Sequence, residues 1–472
     1  MYERWNEPAG WPAGVLTDAD RRRFARYADA LAFFDGEQWT GRARRGETRL
    51  TFNYARALIR KIAAYVYPAP VAFNVPIPEG SGIAAETANR AERILAATAA
   101  ELDLGRLDVD LCIDAAILGD AAIKVTWDGR AGRPVVAPVD SATLAVACAA
   151  DDPRRAVRVT QAYALPASAL ADLGLTVGAT GRLLAFPGSD WRAPGEAGES
   201  LAPIVETWTA ERWRLEAAGQ IVRDEANPYG WIPYAIAPNN PRPSAFWGES
   251  DLADLYDVCR ELNARLSVLS KVLEVSGSPV AVLENVDGSE GIAVGPGAKW
   301  ELPEGAKAYL LDLLSGGGVG LHVQFVDLLY RALHDLSETP RTAFGDAGRN
   351  LSGAALEVEI QPLVQKVGRK RRQWEAFHWA RNGRLLDLLE RFGGEPLAGL
   401  RRTETIWPPI LPSDVTDAVR NATQLTAAGI QSRRTAAAAL GNDDPEREWA
   451  DVLAEMTALR EVGESGSRGV GE

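Results

Sequence analysis

The sequence predicts an α+β protein in which helical and strand-forming segments occupy separate stretches of the chain. Three observations carry this. Apolar residues recur at three-and-four spacing between residues 21 and 118 and again between 249 and 391. Residues 121–223 instead hold short β-type runs separated by Gly, Pro and Asp. Two long amphipathic stretches flank a Gly-rich insert, giving the order helix, β insert, helix, flexible loop, long helix.

The elements follow in order. Residues 1–20 read as an arm with Trp5 and Trp11 near Pro8, Gly10 and Pro12. Thr17-Asp18 is suited to cap a helix through Arg21–Phe34, since a short polar side chain can accept from the free amides of a first turn. Phe52–Val66 places Ala57, Leu58, Ile62 and Tyr65 near one face, and Pro68 and Pro70 end it. Glu86–Leu102 is an Ala-rich helix, and Leu107–Leu118 is another, closed by Gly119. Ile123–Trp127, Val135–Val139, Ala156–Tyr163 and Val205–Thr209 read as strands, and Pro187–Ser200 as an exposed loop. Arg212–Leu215 and Gln220–Arg223 form a candidate hairpin around Ala218-Gly219.

Helix is expected again from about Glu249, with Leu252, Leu255, Val258, Leu262, Leu266, Leu269 and Leu273 on one stripe. Gly277-Ser278-Pro279 stops it. The insert contains β-type pieces at Val280–Leu283, Lys299–Leu302 and Ala308–Leu313 and closes at Gly316-Gly317-Gly318. A second long helix, about Leu321–Glu338, carries Val326, Leu329, Leu333 and Leu336, and Pro340 breaks it. Residues 341–351 form a Gly-rich loop, after which Ser352 is placed to cap a helix extending to about Arg391. Pro362 falls inside that helix and is expected to kink it, because proline has no N–H and its ring crowds the preceding turn. An extended piece at Glu404–Trp407 precedes Pro408-Pro409, two or three helices lie between Ser413 and Val462, and residues 463–472 are expected to be disordered.

Composition excludes several classes. The 472 residues exceed one simple core and suggest two to four structural units. Hydrophobic residues make up 46% and charged residues 24%, which describes a folded chain. A formal net charge of −13 argues against a whole-surface grip on nucleic acid. Cys112, Cys148 and Cys259 lie far apart without a C-x-x-C, and His322, His334 and His378 show no ligand spacing, so neither a disulfide framework nor a zinc site is expected. The N-terminal MYERWNEPAG has no signal-peptide pattern and no apolar run suffices to cross a bilayer, which points to a reducing cytoplasm and no membrane. Only seven of the 51 basic residues are lysine; the bias is uniform and reads as coding bias.

No phosphate loop follows Gly316-Gly317-Gly318-Val319-Gly320, and no G-x-S-x-G elbow is present. Asp108, Asp110 and Asp114 leave a metal-dependent nuclease open, although the spacing is more simply the polar face of a helix. Lys366, Arg369, Lys370, Arg371 and Arg372 form the only strong basic cluster; a solvated or inter-subunit role is favoured over DNA contact. Arg260, Glu261, Arg265, Lys271 and Glu274 flank the first long stripe, as a solvated face or as inter-subunit pairs.

A series of short motifs changes the weighting toward one family. Phe34-Asp35-Gly36-Glu37-Gln38-Trp39 resembles "Y-x-G-x-Q-W", and Asn53-Tyr54 with Arg56, then Tyr67-Pro68-Ala69-Pro70, resembles "N-x-x-r … y-x-x-g-x-P". Gly119-Asp120-Ala121-Ala122-Ile123-Lys124-Val125 is similar to "G-x-a-y-i-k-v". Asn227-Pro228-Tyr229 with Ile232-Pro233 and Gly248-Glu249-Ser250-Asp251-Leu252 resemble "h-x-g-x-i-P-v" and "G-x-S-d-l". Thr339-Pro340, Phe344-Gly345, Asn350-Leu351 and Ser352-Gly353-Ala354-Ala355-Leu356 resemble "t-P-x-x-x-f-G … n-x-S-G-x-A-L". Leu411-Pro412-Ser413-Asp414, Ala428-Gly429-Ile430, Ser432 and Leu440-Gly441 resemble "l-P-x-D … a-G-i-x-S … l-G". Their order resembles that of tailed-bacteriophage portal proteins, nearest to the SPP1-type portal family; residues 140–225 and the insert show no matching motif.

The resemblance implies a ring, a dodecamer in the virion, at one capsid vertex, assembled in the host cytoplasm. It implies a head–tail connector, not an enzyme, with no cofactor, that conducts double-stranded DNA in packaging and ejection. Its implied partners are the terminase large subunit, a head–tail adaptor, and the major capsid and scaffolding proteins. The alternatives are a metal-dependent nuclease or another minor capsid protein. Carried onto this chain, residues 1–245 with the later strand near Trp407 form a wing, 246–277 a first stem helix, 278–318 a clip of small α/β type and 319–340 a second stem helix. Residues 341–351 form a tunnel loop, 352–412 the kinked helix and wing return strand, and 413–462 a helical crown. Phe344, Gly345, Arg349 and Asn350 would belong to the DNA-tunnel loop, and Asn350 is equally suited to turn and capping chemistry. Glycine supplies the mobility such a loop needs, and an acidic balance lets DNA slide.

Overall fold

In a computed structural model, the described residues are 11, 14–166, 201–217, 219–277, 281–285, 302, 304–310, 318–345, 353–411, 415–440, 449 and 452–455. The chain divides into two compact units, residues 1–408 and 409–472. Helix and sheet are both present and segregated along the chain, as an α+β protein requires.

The first unit begins with α1 (Asp18–Asp35). The Thr17 side chain accepts from the Asp20 amide and Asp20 answers to the Thr17 amide, a reciprocal capping box. α2 (Tyr54–Val66) buries Ala55, Leu58, Ile59, Ile62, Ala63 and Val66, so its inner face is turned from the Ala57–Tyr65 face read from sequence. α3 (Ala85–Glu101) and α4 (Leu104–Leu118) follow, and α4 ends at Gly119 in the left-handed conformation, φ 104°.

β2 (Asp120–Asp128) is the centre of a three-stranded antiparallel sheet between β3 (Arg133–Val139) and β9 (Tyr234–Pro238). A second, five-stranded sheet is a sequential meander of β4 (Leu144–Cys148), β5 (Ala156–Pro166), β6 (Leu201–Trp208), β7 (Arg212–Ala217) and β8 (Gln220–Ala226). β7 and β8 pair as a hairpin with Ala217 opposite Gln220 and Gly219 at φ 79°, where the sequence indicates one. β4 and β9 escape sequence reading because Leu144-Ala-Val-Ala-Cys148 and Tyr234-Ala-Ile-Ala-Pro238 are Ala-diluted, and alanine has little β preference. β1 (Ala72–Asn74) pairs with β14 (Glu404–Ile406) across more than 300 residues of chain.

Helix is expected from about Glu249, but β10 (Asn240–Pro241) pairs with β11 (Gly248–Glu249), and turns follow before α5 (Tyr256–Gly277). The cause is a contact with the end of α4: the Ser250 hydroxyl donates to the Ile117 carbonyl and accepts from the Leu252 amide, and the Asp251 amide donates to Ala116 O at 2.9 Å. These bonds engage the backbone in contacts that a helix would forbid. α6 (Gly318–Leu336) starts three residues before the expected Leu321, so Gly318 opens the helix rather than closing the insert. Of the insert, β12 (Ala281–Glu284) and β13 (Lys307–Leu310) are described and pair antiparallel. Lys299–Glu301, Gly316-Gly317, Pro187–Ser200, Ser352 and 463–472 lie outside the described residues. A 3-10 turn (Arg341–Phe344) precedes α7 (Gly353–Arg391), which contains Pro362.

The core that positions these helices joins Ala30 and Phe33 of α1, Leu58 and Ile59 of α2 and Ala116 and Ile117 of α4 to Leu252, Leu255, Cys259, Leu262 and Leu333. Each fully buried Leu or Phe contributes about 1.5–3 kcal/mol. The stripes of α5 and α6 are thus buried at the base of the pair, while Leu273 is 53% and Leu321 69% exposed towards the insert. The charged flank of α5 pairs within its own helix: Arg265 with Glu261 at 2.6 Å and Lys271 with Glu274 at 3.1 Å.

In the second unit, α8 (Val415–Ala427) and α9 (Arg433–Ala439) are described, with Gly429 at φ 72° in the turn between them.

Candidate functional site

The densest polar chemistry lies where α7 meets the base of the α5–α6 pair. The Asp251 side chain is 2% exposed and bridges Lys370 Nζ at 2.7 Å and Lys366 Nζ at 3.2 Å. Lys370 also donates to Asn239 Oδ1 at 2.5 Å, Lys366 to the Ser337 carbonyl at 3.0 Å, and Asn240 Nδ2 to Asp251 at 3.1 Å. Burial raises the Asp251 pKa, but Lys370, Lys366 and the hydrogen bonds outweigh it and hold the carboxyl well below the usual range. Lys366 joins the C-terminal end of α6 to the turn before α5, and Arg369 adds a bridge to Glu338 at 2.5 Å. Arg371 donates to the Val66 and Pro408 carbonyls.

The basic run of α7 is therefore neither a solvated face nor a free nucleic-acid surface. Lys366, Lys370 and Arg371 are internal, and only Arg369 and Arg372 reach solvent. Three basic residues on the inner side of one helix require carboxylate and carbonyl partners, and Asp251 and Asn239 lie 119 and 131 positions from Lys370 in sequence.

Two glycines let the backbone close over this joint. A Cβ on Gly119 would lie 2.9 Å from the Glu249 carbonyl carbon, and one on Gly248 2.5 Å from the Gly119 oxygen. Beside them Asp120 accepts from Tyr27 OH at 2.6 Å and from the Gly248 amide at 2.8 Å. Burial pushes its pKa up to about 6 despite those bonds.

Asp108, expected on a polar helix face, is instead buried at 3% exposure. It forms a short ion pair with Arg381 and lies 3.3 Å from His378 Nε2, which also meets Tyr67 OH at 3.1 Å. Burial lowers the His378 pKa by more than Asp108 raises it, so the ring stays neutral. The carboxylate is consumed by α7, and Asp108, Asp110 and Asp114 are not gathered into one site. Among the described residues no group of three His, Cys, Asp or Glu is placed to hold a metal ion.

Of the other sequence-predicted residues, Phe344 is half-buried in the 3-10 turn against the helical core, 5.5 Å from the His334 ring with Lys61 Nζ 5.3 Å from its own. Gly345 ends that turn at φ 85°, a conformation that favours glycine. Arg349 and Asn350 lie outside the described residues. Pro362 is exposed inside α7, where it leaves the Val358 carbonyl without its fourth-residue donor.

What these contacts build is a scaffold: an α+β body clamped to a helical pair through buried ions. Residues 204–461, more than half of the chain and including the helical pair, the insert and α7, match the family model for phage portal proteins of the SPP1 Gp6-like type. The chain belongs to that family, a family of structural virion proteins. No curated protein gave a match. Among the described residues no helix is long and apolar enough to cross a membrane.

Proposed function

We propose that the protein is a ring-forming portal subunit that conducts double-stranded DNA and docks the terminase large subunit and a head–tail adaptor at one capsid vertex. The observation that carries this reading is the exposed apolar surface of the helical pair. Leu321, Val323 and Leu328 of α6 are 69%, 51% and 59% exposed, and Val268 and Leu273 of α5 are 44% and 53% exposed. A water-facing pair this apolar calls for a protein neighbour, and a repeated head-to-tail contact between copies closes into a ring. On this reading α5 and α6 are the stem, β12 and β13 belong to the clip, the first unit is mainly wing and the second is the crown. Residues 341–351 form the tunnel loop, anchored at its start by Phe344, and Pro362 bends α7 behind it. Capsid and scaffolding proteins surround the wing.

Negative-stain electron microscopy with mass photometry tests this. Rings of about twelve chains are expected, and Leu321→Glu with Leu328→Glu is expected to leave folded protomers that no longer assemble. A wild-type chain that stays monomeric and cuts DNA with Mg²⁺ would overturn the reading.

A further inference from the structure

A basic surface that the described residues leave free lies in the loop between α1 and α2. Residues 41–48 are exposed and carry Arg42, Arg44 and Arg45. None of these three side chains has a carboxylate within ion-pair distance, although the chain as a whole carries −13. Unpaired surface arginines are common singly. Here three fall within four residues, on a loop with a built frame.

Arg49 and Glu47 make that frame. Arg49 donates to the Gly41 carbonyl at 2.9 Å, to the Arg42 carbonyl at 3.0 Å and to Glu47 at 3.1 Å, while its guanidinium lies 5.1 Å from the Trp39 ring. Glu47 also accepts from the Arg44 amide at 2.6 Å. Gly41 and Gly46 take the positive φ values, 69° and 75°, that the two bends need. Both ends of the segment are tied to the body: the Leu50 amide to Ser267 Oγ at 2.9 Å, the Phe52 amide to Asn263 Oδ1 at 2.8 Å, and Gln38 Oε1 to Asn263 Nδ2 at 2.7 Å. Residues 41–49 use Arg49 and Glu47, their one carboxylate, for the shape of the segment and present the remaining three arginines outward.

We propose that Arg42, Arg44 and Arg45 bind the phosphate backbone of double-stranded DNA, a local grip on a protein whose overall charge is acidic. The proposal rests on the portal reading for its ligand. Guanidinium forks match phosphate oxygens bidentately, and a preformed loop loses less entropy on binding than a mobile one. No aromatic ring stands free among the three to stack on a base, since Trp39 is engaged by Arg49 and by Thr51. Backbone contact without sequence preference follows.

The test is fluorescence anisotropy of the assembled full-length protein with a labelled DNA duplex between 50 and 200 mM NaCl. Arg42→Ala/Arg44→Ala/Arg45→Ala is compared with Arg90→Ala/Arg130→Ala/Arg154→Ala, which removes the same charge from exposed, unpaired arginines elsewhere. Three phosphate contacts correspond to a salt slope of about 2.7 and a roughly 40-fold weakening across that range. The first variant is expected to lose that part of the slope and the control to keep it. Equal binding by the two variants, or no binding by wild-type rings, would overturn the proposal and leave the portal reading intact. A changed ring mass in the first variant, with DNA binding retained, would assign the loop to a neighbouring copy instead. Failure to form rings is read separately, by mass photometry, and bears on the portal reading alone.

Discussion

Replacing Asp251 by Asn removes the one carboxylate between two buried ammonium groups while keeping its shape. Lys370 and Lys366 approach it at 2.7 and 3.2 Å, and both side chains are under 10% exposed. Each attraction is worth roughly 5–6 kcal/mol gross at an effective dielectric near 20, most of it offset by the cost of burying the charges. Deleting one partner leaves that cost uncompensated, so a loss of about 3–5 kcal/mol is expected. Urea unfolding followed by tryptophan fluorescence, at fixed protomer concentration, reads it. The double variant Asp251→Asn/Lys370→Met should recover at least half of the loss, because it no longer buries Lys370 without its carboxylate. The acid limb has a defined sign. The folded pKa of Asp251 is depressed, so its contribution is present above the unfolded value near 4 and is lost as pH falls below it. A loss below about 1 kcal/mol at pH 7, or a double variant no better than the single, would refute the argument that the joint is held by charge.

Asp120 works in the opposite direction: its folded pKa is raised to about 6, so its favourable contribution exists at low pH and is lost as pH rises through 6. Asp120→Asn should therefore gain on wild type by up to about 3 kcal/mol between pH 4 and pH 8; parallel melting curves across that range would contradict this. Gly119→Ala combines a positive φ with a Cβ 2.9 Å from the Glu249 backbone and should cost more than about 1–3 kcal/mol, read by thermal melting against Gly105→Ala, whose Cβ meets nothing within 4 Å. Pro362→Ala restores the donor to the Val358 carbonyl and is expected to straighten α7, leaving rings assembled while impairing DNA packaging. Normal packaging in vitro by that variant would remove any role for the bend.

Much of the architecture is written locally. Thr17 with Asp20 starts α1, Gly119 stops α4, and Gly219 sits at φ 79° in the β7–β8 hairpin, because caps and turns depend on a few adjacent residues. The apolar stripes of α5 and α6 mark a helical pair around an insert, and the ordered motifs are enough to place the family. The fate of the charged residues is not local. Periodicity puts Lys366 and Lys370 on a helix but is silent on which face turns inward, and their partner Asp251 sits more than 110 residues earlier. Asp108 looks like a polar face until α7 brings His378 and Arg381 to it. The delayed start of α5 depends on Ser250 meeting the end of α4. Conversely, the arginines of residues 42–45 draw no attention beside the longer basic run, and only the packing shows that Lys366, Lys370 and Arg371 of the long run are taken up inside the fold while the short run faces water. Backbone preference and hydrophobic period are short-range and survive in the linear sequence. The burial of a charge depends on long-range partners that only the folded chain brings into ion-pair distance.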